Sequence, residues 1–392
     1  MRHIYINEVV SEMKFIIVCI FLVYVLWFQY AFEPISGMLS LLGIVMIFLE
    51  VCSLKRLNYY RPLFFVAFFM FIAILGIPFA LYRAVSINAL VGIVKLLIPM
   101  VCIFSCIDYS YNRFKHVMFV ICITIFALSI SLLIEGTQSY TGALVIGDLN
   151  SNVYSAFILL GVMATLFMLC SINNRILKIL FIGILITECI AQVLAASRRG
   201  LIVVFFMLLT YIHSLLSIKY KRQFEYKILT VILVLVLLLI LVSQSNGVSS
   251  LVVVERLTGG PTHGDLKRAE YHAVAWKQFL SSPFLGNGLA SVEGQINVYS
   301  HSLYYEVLAC TGVLGLVILI TALLRKMFYF WKKSYIVIKI ENRMENRTFA
   351  WSVLGILLTG IAVVFIYDVD FYIFLAIFAS YQGIVARNYA FK

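Results

Sequence analysis

Arg198 and Arg199 close one apolar segment, and Arg256, Arg268 and His301 lie in the long polar stretch, about Gln244 to Ser302, that interrupts the apolar pattern. Arginine next to hydrocarbon is costly, so it faces protein or a water-filled cavity and takes a partner. Its planar guanidinium clamps a phosphate with two parallel hydrogen bonds, so one reading is an anionic substrate group. The plain alternative is that both arginines of the pair reach lipid phosphate. His301 stands directly before an apolar segment, inside Tyr299-Ser300-His301-Ser302. A helix amino end and nearby arginines disfavour an imidazolium, leaving a neutral ring that suits a general base. Without that setting a lone loop histidine is bland.

The elements that must position these groups cross a membrane. The chain has 392 residues, 63% of them hydrophobic and 12% charged, with a mean hydropathy of +1.03. Those values exclude a soluble globular domain. Apolar runs of about twenty residues, the length that crosses roughly 30 Å of hydrocarbon, recur throughout. They predict about twelve spans: Phe15–Tyr30, Ile35–Cys52, Leu63–Leu81, Asn88–Ile107, Val117–Ile134, Val153–Cys170, Leu177–Ala195, Leu201–Leu216, Ile228–Val242, Leu303–Leu324, Ala350–Ile366 and Phe371–Val385. The first is read as a retained helix, since no small-residue cleavage site follows it.

The net charge of +12 needs no nucleic acid. With the amino terminus in the cytoplasm, most Lys and Arg fall on that side, in clusters such as Lys55/Arg56/Arg61, Arg113/Lys115 and Lys219/Lys221/Arg222. The reverse orientation contradicts the positive-inside rule at each cluster. Both termini are therefore expected inside. All eight cysteines lie in or at the edge of apolar spans, so neither a disulfide scaffold nor a zinc site has support, and no metal or cofactor is expected.

This orientation opens three regions on one outer face: Glu135–Asn152, Ser197–Gly200 and the loop of about 244–302, set between the ninth and tenth spans of a single membrane domain. Within the loop, Ala269, Ala273, Trp276 and Leu280 recur at helical spacing, which predicts a short amphipathic helix over about 266–280. Its plain role is to pack the loop down. Lys95 and Glu188 fall inside spans and could pair; Asp368 and Asp370 are read as marking the interface.

Ser197-Arg198-Arg199-Gly200, Arg268 ahead of Trp276, Ser282-Pro283-Phe284-Leu285-Gly286-Asn287-Gly288, His301-Ser302-Leu303-Tyr304-Tyr305 and Thr311-Gly312-Val313-Leu314-Gly315 occur in that order. Together they resemble the O-antigen ligase/polymerase superfamily. The resemblance implies an all-α polytopic fold of the GT-C type and a metal-independent glycosyltransferase, active at the outer face of the bacterial inner membrane. Its donor would be a glycan on undecaprenyl diphosphate. His301, Arg268, Arg256 and Arg198 match the superfamily's catalytic positions, while Arg199 and Trp276 fall where substrate is held. Arg199 replaces a residue that is often small or polar, which leaves open which of the pair binds diphosphate.

By that resemblance His301 deprotonates or orients the acceptor hydroxyl, and the arginines neutralise the diphosphate leaving group, with inversion at the anomeric carbon. A repeat-unit polymerase uses a second lipid-linked glycan as acceptor; a ligase uses lipid A-core. Ligases often carry a second histidine close to the one before the tenth span, and Tyr299-Ser300-His301-Ser302 does not, which favours the polymerase. The expected partners are undecaprenyl-diphosphate-linked glycans as donor and acceptor, membrane lipid and, optionally, a chain-length regulator protein. A lipid-linked glycan flippase is the non-enzyme alternative, and it would need motifs on both faces.

Overall fold

The computed structural model describes residues 2–32, 34–53, 57–138, 144–147, 151–195, 197–217, 263–337 and 339–390. Helix α1 (Arg2–Val23) runs on through a π-turn (Tyr24–Phe28) to Ala31. Then come α2 (Met38–Cys52), α3 (Phe64–Gly76), α4 (Arg83–Ile107), α5 (Tyr111–Glu135), α6 (Ser151–Ser171), α7 (Arg175–Leu194) and α8 (Arg198–Ser217). A two-stranded ladder, β1 (Thr137–Gln138) with β2 (Leu144–Val145), lies between α5 and α6. The last group is α9 (His263–Ser281), α10 (Ser291–Ile296), α11 (Leu303–Ile336), α12 (Ile340–Thr359) and α13 (Val369–Ala390). Among the described residues, eight helical segments are long and apolar enough to cross a membrane, with two shorter apolar helices, Met38–Cys52 and Gly200–Ile212, beside them. The protein is an all-helical, multi-pass membrane protein.

The expected ninth span, Ile228–Val242, lies outside the described residues. The eleventh differs in extent: α12 stops at Thr359, short of the expected Ile366. The Gly360 carbonyl accepts the Leu303 N–H at 2.8 Å, and the following apolar residues turn back so that Phe365 and Ile366 are buried in protein. Hydropathy cannot separate the two cases, because a side chain facing lipid and one facing a neighbouring helix are equally apolar. Lys95 and Glu188 do not pair: Lys95 is exposed on α4, whereas Glu188 is buried and accepts from Thr165 Oγ1 at 3.1 Å.

The apolar solvent gives helices little reason to associate, so packing and polar contacts must supply it. Helix α6 is buried nearly all round and forms the middle of the bundle. A Cβ on its Gly161 would overlap Ile125 and Glu188, so only glycine lets α5, α6 and α7 meet there. Phe114, Phe167, Phe330, Phe349 and Tyr381 join α5, α6, α11, α12 and α13, with Phe349 and Tyr381 stacked at 4.2 Å. Near the start of the chain, buried Lys14 pairs with Glu50 at 2.8 Å, and Glu50 also accepts from Ser105 Oγ and Tyr60 OH, each at 2.6 Å. This satisfies a carboxylate that would otherwise be costly between α1, α2 and α4.

Helix α11 is broken at Gly312, whose φ of 64° and ψ of −167° interrupt the ladder. The segment 283–288 fills the break. Val313 N–H donates to the Pro283 carbonyl at 2.8 Å, Asn287 N–H to the Ala309 carbonyl at 2.8 Å, and Gly288 N–H to the Cys310 carbonyl at 3.0 Å. Three backbone groups at the break thus find partners in this segment, as hydrocarbon depth requires. The approach needs glycine on both sides: a Cβ on Gly286 would overlap the Cys310–Thr311 peptide, and one on Gly312 the Phe284 carbonyl. The same segment is held to the start of α4 by Leu81 N–H to the Asn287 carbonyl at 2.9 Å and Ser86 Oγ to the Leu289 carbonyl at 2.8 Å.

Gly286→Ala meets both the overlap and a φ of 71°. A loss of about 1–3 kcal/mol is expected from the backbone term alone. Thermal unfolding of the detergent-purified protein should show a clearly lower midpoint than Gly183→Ala, where a Cβ meets open space.

Candidate functional site

The interlocked segment fixes both ends of the turn that carries His301. Helix α9 leads into it, α10 follows, and α11 starts immediately after. His301 itself has a φ of 58°, in the left-handed region that most side chains avoid. Its flanks hold it there. Ser300 N–H donates to buried Glu306 Oε2 at 2.9 Å, Ser300 Oγ donates to the Ser302 carbonyl at 2.9 Å, and Leu303 N–H is taken by Gly360. A carboxylate in the opening turn of α11 therefore satisfies a backbone donor ahead of it, much as a capping side chain does.

Helix α9 lies against this turn. The Tyr271 ring faces His301 with centroids 5.8 Å apart, and His272 stacks on Tyr305 at 4.5 Å. Trp276 meets Tyr305 edge-on at 6.5 Å while remaining 46% exposed. Arg268 precedes Tyr271 by three residues and His272 by four, so these three share a face of α9. Beneath them Ala275, Val292 and Ala309 form a small buried cluster that joins α9, α10 and α11. The structure therefore brings Arg268, Trp276 and His301 to one place.

Arg198 and Arg199 form the first turn of α8, entered through Ser197, whose Oγ accepts from Gly200 N–H at 3.5 Å. A Cβ on Gly200 would overlap Gln192 and Ser155, which ties this turn to α6 and α7. Helix α12 connects it to the His301 turn: Gly355 faces Val203 of α8, and Gly360 receives Leu303 of α11. The first turn of α8 thus lies at the same end of the bundle as His301. Arg256 lies outside the described residues.

Sequence reasoning passed over the groups on the other side of the turn. Tyr299 stacks on Tyr367 at 5.1 Å, and Tyr367 OH accepts the Ala290 N–H at 2.8 Å. Asp368 follows Tyr367, and Asp370, read as an interface marker, is fully buried with neither carboxylate oxygen hydrogen-bonded. Burial pushes Asp368 up to about 7. Burial also raises Tyr299 to about 12, with Glu293, Asp368 and Glu306 adding to the effect, so Tyr299 keeps its proton at neutral pH. The available signal was the pairing of Asp368 and Asp370 with aromatic neighbours in a short turn, which marks burial as readily as it marks an interface. Among the described residues no three His, Cys, Asp or Glu side chains are grouped to hold a metal ion.

Residues 183–320 match the family described as O-Antigen ligase. The matched segment is about a third of the chain. That segment contains Arg198, Arg199, Arg256, Arg268, Trp276 and His301. No curated protein matches the chain significantly. A solved chain from "Structural coordination of polymerization and crosslinking by a peptidoglycan synthase complex" aligns over 83% of this chain and 96% of its own, at 15% identity and a TM-score of 0.48, a likeness too slight to argue from.

A raised carboxyl pKa favours the folded state below the unfolded value of about 3.9, and that contribution is lost as pH rises through about 7. Wild-type protein should therefore lose stability relative to Asp368→Asn as pH rises from about 4 to 7. Paired thermal melts across that window check the sign, and a constant difference would show that Asp368 does not titrate there.

Proposed function

We propose that the chain transfers a glycan from a polyprenyl diphosphate to a saccharide hydroxyl, at the end of the bundle that carries His301. The observation that supports this most is the face of α9 bearing Arg268, Tyr271 and His272, laid against the strained turn that presents His301. His301 accepts the proton of the acceptor hydroxyl as its oxygen bonds to the anomeric carbon. The bond from that carbon to the diphosphate oxygen breaks, and the leaving group departs with its electron pair. Arg268, Arg256 and one or both of Arg198 and Arg199 offset the growing negative charge. Two arginines in the first turn of a helix oppose its dipole by about 0.3–1 kcal/mol each, unless an anion joins them there. Direct displacement inverts the anomeric centre.

Of the two outcomes, the ligase has the better support. The matched family is described as O-Antigen ligase. The sequence argument for a polymerase rested on the lack of a second histidine next to His301. Helix α9 carries His272, which stacks on Tyr305, four residues after His301. The polymerase keeps the same bond chemistry and differs in the acceptor. In either case the active end faces the periplasm, with both termini cytoplasmic.

His301→Asn, which tolerates the left-handed backbone, and His301→Ala should both lower transfer by about 10²–10⁴-fold. Membrane insertion and folded yield should be retained. Arg268→Lys should restore only part of the activity lost in Arg268→Ala if two parallel phosphate bonds matter. Purified protein with a lipid-linked glycan donor should glycosylate added lipid A-core. A ladder of longer lipid-linked glycans without that acceptor would establish the polymerase instead, and full activity of His301→Asn would remove His301 from the chemistry.

A further inference from the structure

A cavity of about 1240 Å³ opens between α3, α11 and α13 at the end of the bundle opposite His301. Lys326 forms part of its wall, 23 residues after Leu303 at the start of α11. At 1.5 Å per residue that is about 35 Å from the His301 end. One end of the cavity is basic, with Arg61, Arg325, Lys326 and Arg387, and Asp108 is the acidic side chain among the lining residues. Asp108 lies towards Tyr59 and Tyr109, within electrostatic reach of both. The other end is apolar, and its residues Phe64, Phe68 and Val317 are exposed where lipid surrounds the helices.

Lys326 is the decisive residue. It is 4% exposed, and its ammonium donates to the Pro62 carbonyl at 3.3 Å and to Gln382 Oε1 at 3.1 Å, with the Phe65 ring 5.2 Å away. Those partners are neutral, and no ion pair to Lys326 forms among the described residues. An ammonium has three donors, so one remains for the cavity. A buried cation without an anion is costly, and the exposed arginines Arg61, Arg325 and Arg387 line the same cavity. An anionic head with attached hydrocarbon answers both halves of the cavity at once.

We propose that this cavity is a binding site for an anionic glycerophospholipid, its phosphate held by Lys326, Arg325, Arg61 and Arg387 and its acyl chains laid along Phe64, Phe68 and Val317. The 35 Å offset along α11 sets this phosphate apart from one bound beside His301, so the lipid is not the glycosyl donor in its reacting position. It instead ties together the ends of α3, α11 and α13 away from the transfer site.

The test uses the full-length protein, delipidated in detergent and titrated with dioleoyl phosphatidylglycerol, dioleoyl phosphatidylcholine, a polyprenyl phosphate or inorganic phosphate, with retention read by native mass spectrometry. Phosphatidylglycerol should be retained at least tenfold over phosphatidylcholine and should resist displacement by inorganic phosphate. Lys326→Gln should lower that retention at least tenfold, with Lys326→Arg within about threefold of wild type. Val317→Trp, which fills the apolar end and leaves every charge in place, should lower it as well, and it decides the matter if Lys326→Gln does not fold. Equal retention of the two phospholipids, or unchanged retention in Val317→Trp, would overturn the site. Displacement of phosphatidylglycerol by lower concentrations of polyprenyl phosphate would overturn the choice of lipid.

Discussion

The arrangement depends on repairing one broken helix. A helix is stable in hydrocarbon because it satisfies its own backbone, and α11 gives that up at Gly312. The replacement bonds come from the loop after α9, through Pro283, Asn287 and Gly288. The exchange converts a connecting loop into part of the bundle. It also fixes the start of α11 against α9 and α4, which sets the position and direction of the residues just before it. His301 can hold an unfavourable φ because its neighbours on both sides are already committed.

The electrostatic layout follows from the same frame. One end of α11 gathers the His301 turn, the Arg268 face of α9 and the carboxyl groups of Glu306, Asp368 and Asp370. The other gathers Arg61, Arg325, Lys326 and Arg387. The protein interior between them is mostly apolar and aromatic, with Glu188 held by Thr165, so each end keeps its own charge problem. At the His301 end, Ser300 N–H gives the buried Glu306 carboxyl a donor.

Most helices were legible in the sequence because length and hydropathy carry the requirement of crossing hydrocarbon directly. The motif residues were legible too, since Arg268, Trp276 and His301 stand out as polar or aromatic groups beside apolar spans. What remained hidden is what pattern cannot encode. The Gly312 break leaves the apolar run uninterrupted, so it reads as one span. Residues 360–366 are as apolar as a helix facing lipid, yet they turn back into protein. The turn that holds Asp370 reads equally well as buried or interfacial, and His272 gave no sign of standing beside Tyr305, because both facts belong to contacts between elements far apart in the chain. The pairing of Lys95 with Glu188 failed for the same reason in reverse: depth in the membrane was readable, but facing direction was not.

The order of the interlocking pieces along the chain has a bearing on biosynthesis. Residues 283–288 leave the ribosome before Gly312 and Val313 do. The carbonyl of Pro283 therefore already exists when the broken helix reaches the bilayer, and the freed Val313 N–H can meet its acceptor as it inserts. With the order inverted, a helix with an open seam would wait in hydrocarbon for a loop still to be made. Synthesis that proceeds from the amino terminus thus delivers the patch ahead of the gap.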